Sequence, residues 1–271
     1  MESLLSPQTL AADLWQKMGD FEYIPGKTLL ADWRIPIGAA AVYLVTVFTL
    51  QKIMARVEKP FTLVGATVVH NIILCLWSLA MWVGILVELA SLGMKMKWGN
   101  LEEVLFCDAD HAVVNKGRLY FWVYVFYISK FYELLDTVLL VLKKKELIFL
   151  HVYHHAITMI LVWVCLESKM PVQWSCELLN SGIHILMYYY YAASAAKIQV
   201  WWKKYITTFQ IIQFILTIFV QVYSMYYAYF ISPRPCPSFD TYANEFGMFV
   251  IISFLLLFID FYRKTYKKKT V

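Results

Sequence analysis

Seven stretches of the chain are mostly apolar, and each is long enough to cross a lipid bilayer, whose hydrocarbon core of about 30 Å needs roughly 20 helical residues. The pattern predicts an all-α membrane protein with about seven transmembrane helices in one domain, residues 34–263. Residues 1–33 would lie at the membrane surface, and residues 264–271 would form a basic tail. The predicted spans lie near residues 34–55, 62–90, 117–142, 148–166, 174–196, 205–231 and 244–262.

Lysine and arginine residues follow every second span, which predicts the orientation of the chain. Basic clusters come after the first, third, fifth and seventh spans, at 52–59, 143–145, 197–204 and 263–269. Because such residues accumulate in cytoplasmic loops, the N-terminus is expected in the lumen and the C-terminus in the cytosol. The formal net charge of +5 then follows from topology, and no nucleic-acid partner is indicated.

The two ends of the chain bear on its location. The N-terminal residues MESLLSPQTL have no basic start followed by an apolar core, so a cleavable signal peptide is not expected. The chain ends in Lys268-Lys269-Thr270-Val271, a dilysine pattern of the kind that coat proteins read for retrieval to the endoplasmic reticulum. The sequence therefore predicts a multi-pass protein of the endoplasmic reticulum membrane.

The five cysteines fall into two groups. Cys75, Cys165 and Cys176 lie in or beside predicted spans, whereas Cys107 and Cys236 lie in loops on the predicted lumenal side. An oxidising lumen allows such a pair to form a disulfide. Two unrelated loop thiols are the alternative.

Ionisable residues within membrane spans are rare and by default indicate function. In the third span, Lys130, Glu133 and Thr137 share one helical face, with Asp136 beside it; a buried ion pair that only tightens packing is the alternative. In the fourth span, the spacing in LHVYHHAITMI places three imidazoles on one face, those of His151, His154 and His155.

The next two spans carry polar residues as well. The fifth contains Asn180, His184 and a run of tyrosines from Tyr188 to Tyr191, and the sixth contains Thr207, Gln210 and Gln213. Any one of these residues could serve only to hydrogen-bond neighbouring helices. Four consecutive spans with polar faces favour a shared polar cavity, which would open toward the cytosol beneath the lysines.

Three classes of function fit such a cavity. The HxxHH pattern could ligate a metal, but the chain has six histidines and His70 and His111 fall outside the cluster, leaving four. A transporter or channel is disfavoured because two inverted halves with broken helices are not apparent. The third class is an enzyme whose spans surround the acyl chain of a lipid-tailed substrate while lysines hold phosphate groups.

Four motifs in order favour the third class. KFYELLDT matches KxxExxDT, HVYHH matches HxxHH, HILMYYYY matches HxxMYxYY, and TTFQIIQ matches TxxQxxQ. From about Trp33 to the C-terminus the chain resembles the ELO family of fatty acid elongases. The resemblance implies a seven-span 3-ketoacyl-CoA synthase of the endoplasmic reticulum that condenses acyl-CoA with malonyl-CoA. The other enzymes of the elongation cycle would be partners, and a homodimer is left open.

Decarboxylative condensation suggests a role for each polar residue, without a metal or organic cofactor. Cys165 is about 15 Å along the helix from the histidines and Cys176 is near the lumenal end of its span, so neither is placed as nucleophile. His154 is the expected acyl acceptor, because histidine can form an acyl-imidazole; a direct condensation in which it only polarises the thioester is the alternative. The remaining expected catalytic residues are His184 as its partner, His151, His155 and Asn180 as orienting or oxyanion-stabilising groups, Glu133 and Asp136 as carboxylates that fix imidazole tautomers, and Lys130.

A second set of residues is expected to bind substrate. Thr137, Tyr188, Tyr191, Gln210 and Gln213 would line the cavity. Lys143, Lys144, Lys145, Lys203, Lys204 and Arg263 would hold CoA phosphates, or serve only as topology signals. In DFYRK, Asp260 replaces the asparagine common in the family, so Arg263 could pair with this acid instead. Gly182 and the loop KIQVWWKK resemble the branch of the family that acts on saturated and monounsaturated chains, although HVYHH is similar to the polyunsaturated branch as well. Trp163, Trp174 and Tyr223 are candidates for closing the tunnel.

Overall fold

A computed structural model describes residues 7–111, 113 and 116–267, and these residues form nine α-helices. Outside the helices, the described residues contain one isolated bridge, between Glu22 and Lys116. Helix α8 continues as a π-helical turn, Tyr227–Ile231, and α9 as another, Arg263–Lys267. The helices are α1 (Pro7–Gly19), α2 (Arg34–Arg56), α3 (Val64–Lys95), α4 (Trp98–Phe106), α5 (Gly117–Leu142), α6 (Phe149–Glu167), α7 (Gln173–Ala195), α8 (Lys203–Tyr226) and α9 (Ala243–Tyr262).

In the described part of the chain, five helices are both long enough and apolar enough to cross a membrane: α2, α3, α6, α8 and α9. Helices α5 and α7 coincide with the other two predicted spans and have 26 and 23 residues. They differ from the five in their polar content: α5 contains the charged residues Lys130, Glu133 and Asp136, while α7 contains Asn180 and several tyrosines. The prediction of an all-helical membrane protein is confirmed.

Six of the helices formed by the described residues make a closed ring, in the order α3, α5, α6, α9, α8 and α7, with α7 packing back onto α3. Helix α2 lies outside this helical ring, against α5 and α6. The outward surface of α2 consists of exposed apolar side chains such as Val42, Val45 and Phe48, as expected for a surface that faces lipid. The interior of the ring holds buried polar residues such as Glu133, His155 and His184.

The two ends of the bundle differ in chemistry. One end is called the basic end because Lys143, Lys144 and Lys145 follow α5 there. At this end the C-terminus of α5 meets the start of α3, and Lys143 Nζ donates to Thr67 Oγ1 over 3.3 Å. At the opposite, disulfide end, Cys107 and Cys236 form the predicted disulfide between the segment after α4 and the α8–α9 loop. Arg234 strengthens that link through a salt bridge of 2.8 Å to Asp110.

The described part of the N-terminal segment covers the disulfide end. Helix α1 packs against α5, where the guanidinium of Arg118 lies 4.4 Å from the centre of the Trp15 ring. Further along, the hydroxyl of Tyr23 donates to Glu167 Oε1 over 2.6 Å; burial and this carboxylate raise the pKa of Tyr23. The segment is thus attached to the bundle. The dilysine residues Lys268 and Lys269 lie outside the described residues.

Candidate active site

A cavity of about 600 Å³ lies inside the helical ring and reaches its basic end. Every helix of the ring contributes to its wall, and α9 adds mainly aromatic side chains. The cavity is large enough for part of a small-molecule substrate, since ligand pockets typically measure about 300–1,000 Å³. Its polar wall includes Thr67, His70, Asn71, Glu133, Asp136, His151, His154, His155, Asn180, His184, Tyr188, Tyr191, Thr207, Gln210 and Gln213.

Helix α6 presents its three histidines to this cavity. The His151 Nε2 atom is hydrogen-bonded to Thr137 Oγ1 at 2.9 Å, and the rings of His151 and His155 are 4.5 Å apart. The His154 ring instead packs against an aromatic side chain of α9, with its centre 4.8 Å from that of Phe254. The α6 spacing therefore puts all three imidazoles on one wall, as the sequence predicts, and His154 is the one held by apolar neighbours.

Lys130 connects α5 with α7 behind the cavity wall and does not line the cavity. It is 2% exposed, and its Nζ atom donates to Glu133 Oε1 over 2.8 Å and to Asn180 Oδ1 over 3.3 Å. Glu133 Oε1 in turn lies 3.7 Å from His184 Nδ1. A buried ammonium is costly unless it is paired, so Lys130 fixes the positions of a carboxylate, an amide and, through the carboxylate, an imidazole.

Asp136 joins three further helices. Its Oδ1 atom is 2.6 Å from His70 Nε2, its Oδ2 atom accepts a 2.9 Å hydrogen bond from Tyr188, and His155 Nε2 lies 3.9 Å away. The expectation that His70 lies outside the histidine cluster is therefore wrong. The only local signal was the pair His70-Asn71 within an apolar span, because the partner of His70 lies 66 residues away.

The predicted substrate-binding residues occupy different places. Tyr188, Tyr191, Gln210 and Gln213 line the cavity. Thr137 is 0% exposed and lies behind the wall, hydrogen-bonded to Tyr43 at 2.9 Å as well as to His151. Thr137 therefore holds an imidazole, and the position gives it no direct access to a ligand.

Lysines surround the mouth of the cavity at the basic end. Lys143, Lys145 and Lys203 line it, and burial together with the charge of Lys145 lowers the pKa of Lys143. The structure does not bring the other predicted phosphate-binding residues to the wall: Lys144 donates to the Val57 carbonyl, Lys204 lies over the Tyr205 ring, and Arg263 is also outside the lining. Asp260 pairs with Lys264 at 2.7 Å, where the sequence suggested Arg263.

The cavity wall bears on the alternatives left open above. Within the described ranges, none of the cysteines lines it, and no group of three or more histidine, cysteine, aspartate or glutamate side chains is arranged to hold a metal ion. The side chains of Trp163, Trp174 and Tyr223 point to Ala31, Leu105 and Glu102. They attach outer segments to the bundle and do not line the cavity.

Comparison with known proteins identifies relatives that match most of the chain. Residues 28–271 match the model of the family described as "ELO: GNS1/SUR4 family". The chain is 39% identical over 236 residues to fatty acid elongase A of Dictyostelium discoideum, covering 87% of this chain and 84% of that one. It is 33% identical over 236 residues to very long chain fatty acid elongase 2 of Mus musculus, covering 84% and 75%.

Proposed function

This chain belongs to the ELO family of fatty acid elongases, and we propose that it catalyses the decarboxylative condensation of a long-chain acyl-CoA with malonyl-CoA. The products are 3-ketoacyl-CoA, CO₂ and free CoA. One observation carries the proposal: His154 and His184 line one cavity whose basic mouth offers Lys143, Lys145 and Lys203. The imidazoles supply the acyl-transfer chemistry, and the lysines supply counter-charges for the phosphates of CoA.

The first half-reaction is attack by a ring nitrogen of His154 on the thioester carbonyl. The nitrogen–acyl bond forms, the carbon–sulfur bond breaks, and CoA leaves as thiolate and takes a proton. A neutral imidazole is the required nucleophile, and the ring of Phe254, with its centre 4.8 Å from that of His154, holds the imidazole in place. His184, with Glu133 3.7 Å from its Nδ1 atom, polarises the carbonyl or receives the proton.

In the second half-reaction malonyl-CoA loses CO₂, and the electron pair of the broken carbon–carbon bond forms an enolate. The enolate carbon attacks the acyl-imidazole, giving 3-ketoacyl-CoA and restoring His154. Asn180 and His151 are suited to stabilise the oxyanions, because fixed donors in a site shielded from water act strongly on developing charge. Lys130 contributes through Glu133 and Asn180, to which it donates hydrogen bonds.

The proposal extends to the setting of the reaction. Seven helices cross the endoplasmic reticulum membrane, with the basic end in the cytosol, where both CoA substrates are made, and the disulfide end in the lumen. The acyl chain enters the helical ring from the basic end. Saturated and monounsaturated chains are the favoured substrates, and the reductases and dehydratase of the elongation cycle are partners.

The test uses purified protein with acyl-CoA alone and no malonyl-CoA. We expect release of about one equivalent of CoA per active site and an added acyl mass on the peptide that contains His154. The variant His154→Ala should give neither. Subsequent addition of malonyl-CoA should discharge the acyl group as 3-ketoacyl-CoA.

Other outcomes would change the mechanism or the function. If no adduct forms but both substrates together yield 3-ketoacyl-CoA, His154 only polarises the thioester and condensation is direct. If no acyl-CoA yields product under any condition that supports a known elongase, the proposed reaction is wrong for this chain.

A further inference from the structure

Helix α2 lies outside the helical ring, yet one of its side chains is connected to the histidines of α6. The outward residues of α2, such as Val42 and Val45, are exposed. Tyr43 is instead 4% exposed and belongs to an apolar cluster with Val141 of α5 and Val152 of α6. The condensation described above assigns no task to α2 or to this tyrosine.

The Tyr43 hydroxyl begins a chain of hydrogen bonds that ends at an imidazole. Its oxygen lies 2.9 Å from Thr137 Oγ1, and Thr137 Oγ1 lies 2.9 Å from His151 Nε2. Tyr43 and Thr137 are both buried, and neither lines the cavity. Among the described residues, the Tyr43 hydroxyl has no partner besides Thr137, and the Thr137 hydroxyl has none besides Tyr43 and His151. The chain therefore connects α2 to α6 through α5, behind the cavity wall.

The direction of each hydrogen bond follows from the number of protons available. A hydroxyl group has one proton to donate, and a buried proton left without an acceptor is costly. The proton of Tyr43 goes to Thr137 Oγ1, its one partner in the part of the chain that the structure describes, so the proton of Thr137 goes to His151 Nε2. A neutral imidazole has one acceptor nitrogen and one N–H group, and the bond made at one nitrogen determines which tautomer forms. Because Nε2 is the acceptor, Nδ1 of His151 carries the proton.

The Nδ1–H group of His151 is available to a ligand. In the described ranges this nitrogen has no hydrogen-bond partner, and it is not enclosed by protein atoms. His151 lines the cavity that also contains His154 and His184. The chain from Tyr43 thus leaves one N–H donor of fixed position facing the substrate.

We propose that Tyr43 is a positioning residue for the condensation: through Thr137 it fixes His151 in the tautomer with the proton on Nδ1. This N–H group then donates to the carbonyl oxygen that becomes negative when His154 attacks the thioester. A fixed donor at that oxygen stabilises the developing charge, whereas the opposite tautomer would present a lone pair and repel it. The inference rests on the proposed condensation, because it assigns a donor to the same reaction.

The first test determines the tautomer of His151 by nitrogen-15 NMR at neutral pH, on protein labelled in its six histidines. Protonated and unprotonated ring nitrogens differ in chemical shift, and the signals missing from His151→Gln identify this residue. In the unaltered protein we expect the proton on Nδ1. In Tyr43→Phe we expect a mixture of both tautomers, because Thr137 can then accept a proton from Nε2.

Tyr127→Phe is the matched control for this measurement. The Tyr127 hydroxyl is also buried, but it donates to the Leu30 carbonyl over 2.9 Å and its residue does not line the cavity. Its variant loses one buried hydrogen bond as well, and the signals of His151 should stay unchanged.

The second test measures elongation by the same variants. Tyr43→Phe should lower kcat about tenfold, the worth of roughly one net hydrogen bond, while KM changes little because Tyr43 does not line the cavity. Thr137→Val interrupts the chain of hydrogen bonds and should give a similar loss. Thr137→Ser keeps the hydroxyl and should retain most of the activity.

Three results would overturn the inference: a proton on Nε2 of His151 in the unaltered protein, a tautomer that does not change in Tyr43→Phe, or an equal loss of kcat in Tyr127→Phe. The NMR measurement needs no substrate, so it tests the link between Tyr43 and His151 separately from the reaction. Absence of elongation by the unaltered protein would instead refute the proposed function.

Discussion

At the scale of single residues, Asp136 connects side chains of three other helices on the cavity wall. It bonds His70 of α3 and Tyr188 of α7, and it lies 3.9 Å from His155 of α6. A carboxylate bonded to one nitrogen of an imidazole fixes its tautomer and orientation. His70 therefore acts as a positioning residue for Asp136 and, through Asp136, for the α6 histidines.

Replacing His70 tests this positioning role. In His70→Asn, the short side chain cannot reach Asp136 in the same geometry. We expect kcat to fall about 100-fold, the loss typical when a catalytic group is displaced by roughly 1 Å. KM should change less. His111→Asn is the control, because His111 lies in the loop near the disulfide and its backbone φ of 51° suits asparagine. Equal losses in both variants would assign His70 a purely structural role.

Lys143 gives a second prediction at this scale. Its pKa is lowered by burial and by Lys145, so its positive charge is present below this lowered pKa and is lost as the pH rises through it. The kcat/KM for malonyl-CoA should therefore decline with rising pH earlier than an ordinary lysine would cause. In Lys143→Arg the guanidinium stays charged, and the decline should move to higher pH.

Lys204→Arg provides the comparison for the pH profile, since Lys204 does not line the cavity. Its profile should match that of the unaltered protein. If Lys143→Arg leaves the profile unchanged as well, a different group controls the binding of CoA.

Residue-scale predictions from the sequence succeed where the signal is local. The i, i+3, i+4 spacing of His151, His154 and His155 requires a shared face on any helix, and the structure places all three on the cavity wall. The roles of Lys130 and Thr137 behind that wall depend on rotation of α5 by a fraction of a turn, which spacing alone does not specify. The contact between His70 and Asp136 depends on which helices become neighbours, information that a single sequence does not contain.

At the scale of helices, α3 approaches its neighbours closely because glycines leave room for tryptophan rings. The space that a side chain at Gly84 would need is filled by Trp122 of α5, and a Cβ atom at Gly182 of α7 would lie 2.9 Å from Trp82 Nε1 of α3. Small residues at helix interfaces are a common means of close packing in membranes. Two sides of the helical ring thus depend on these glycines.

Gly84→Ala should disturb one of these interfaces. The added methyl group collides with the Trp122 ring, and overpacking of this kind costs about 1–3 kcal/mol, so we expect a lower Tm in detergent. The same substitution at Gly65 of α3 meets no atom within 4 Å and should leave Tm unchanged or raise it, because alanine favours helix over glycine. A Tm for Gly84→Ala equal to that of Gly65→Ala would show that α5 moves aside without cost.

The helices differ in how far sequence predicts them. The bounds of the long helices follow the predicted spans closely; α5, for example, runs from Gly117 to Leu142, because long apolar runs leave few alternatives in a membrane. The short helices α1 and α4 were not predicted, since 13 and 9 residues of mixed polarity give weak periodic signals. Tertiary contacts, such as the Trp15–Arg118 pair, stabilise α1.

At the scale of the whole molecule, the chemistry of the two ends differs in a way that supports the proposed orientation in the membrane. The basic end carries the mouth of the cavity and its lysines. The opposite end carries the disulfide between Cys107 and Cys236, whose 129-residue separation links α4 to the last loop. Disulfides persist in oxidising compartments, so the position of the disulfide and the distribution of lysines independently favour the same orientation.

Glycosylation reports this orientation directly, because the natural sequence contains no Asn-X-Ser/Thr site and lumenal loops alone receive N-linked glycans. We expect a glycan on an acceptor sequence inserted in the α8–α9 loop, after Arg234, and none on the same sequence inserted between α7 and α8, after Lys197. An endoglycosidase that restores the original mass identifies the modification. The reverse pattern would place the mouth of the cavity in the lumen, away from cytosolic CoA, and would contradict both the orientation and the proposed route of the substrate.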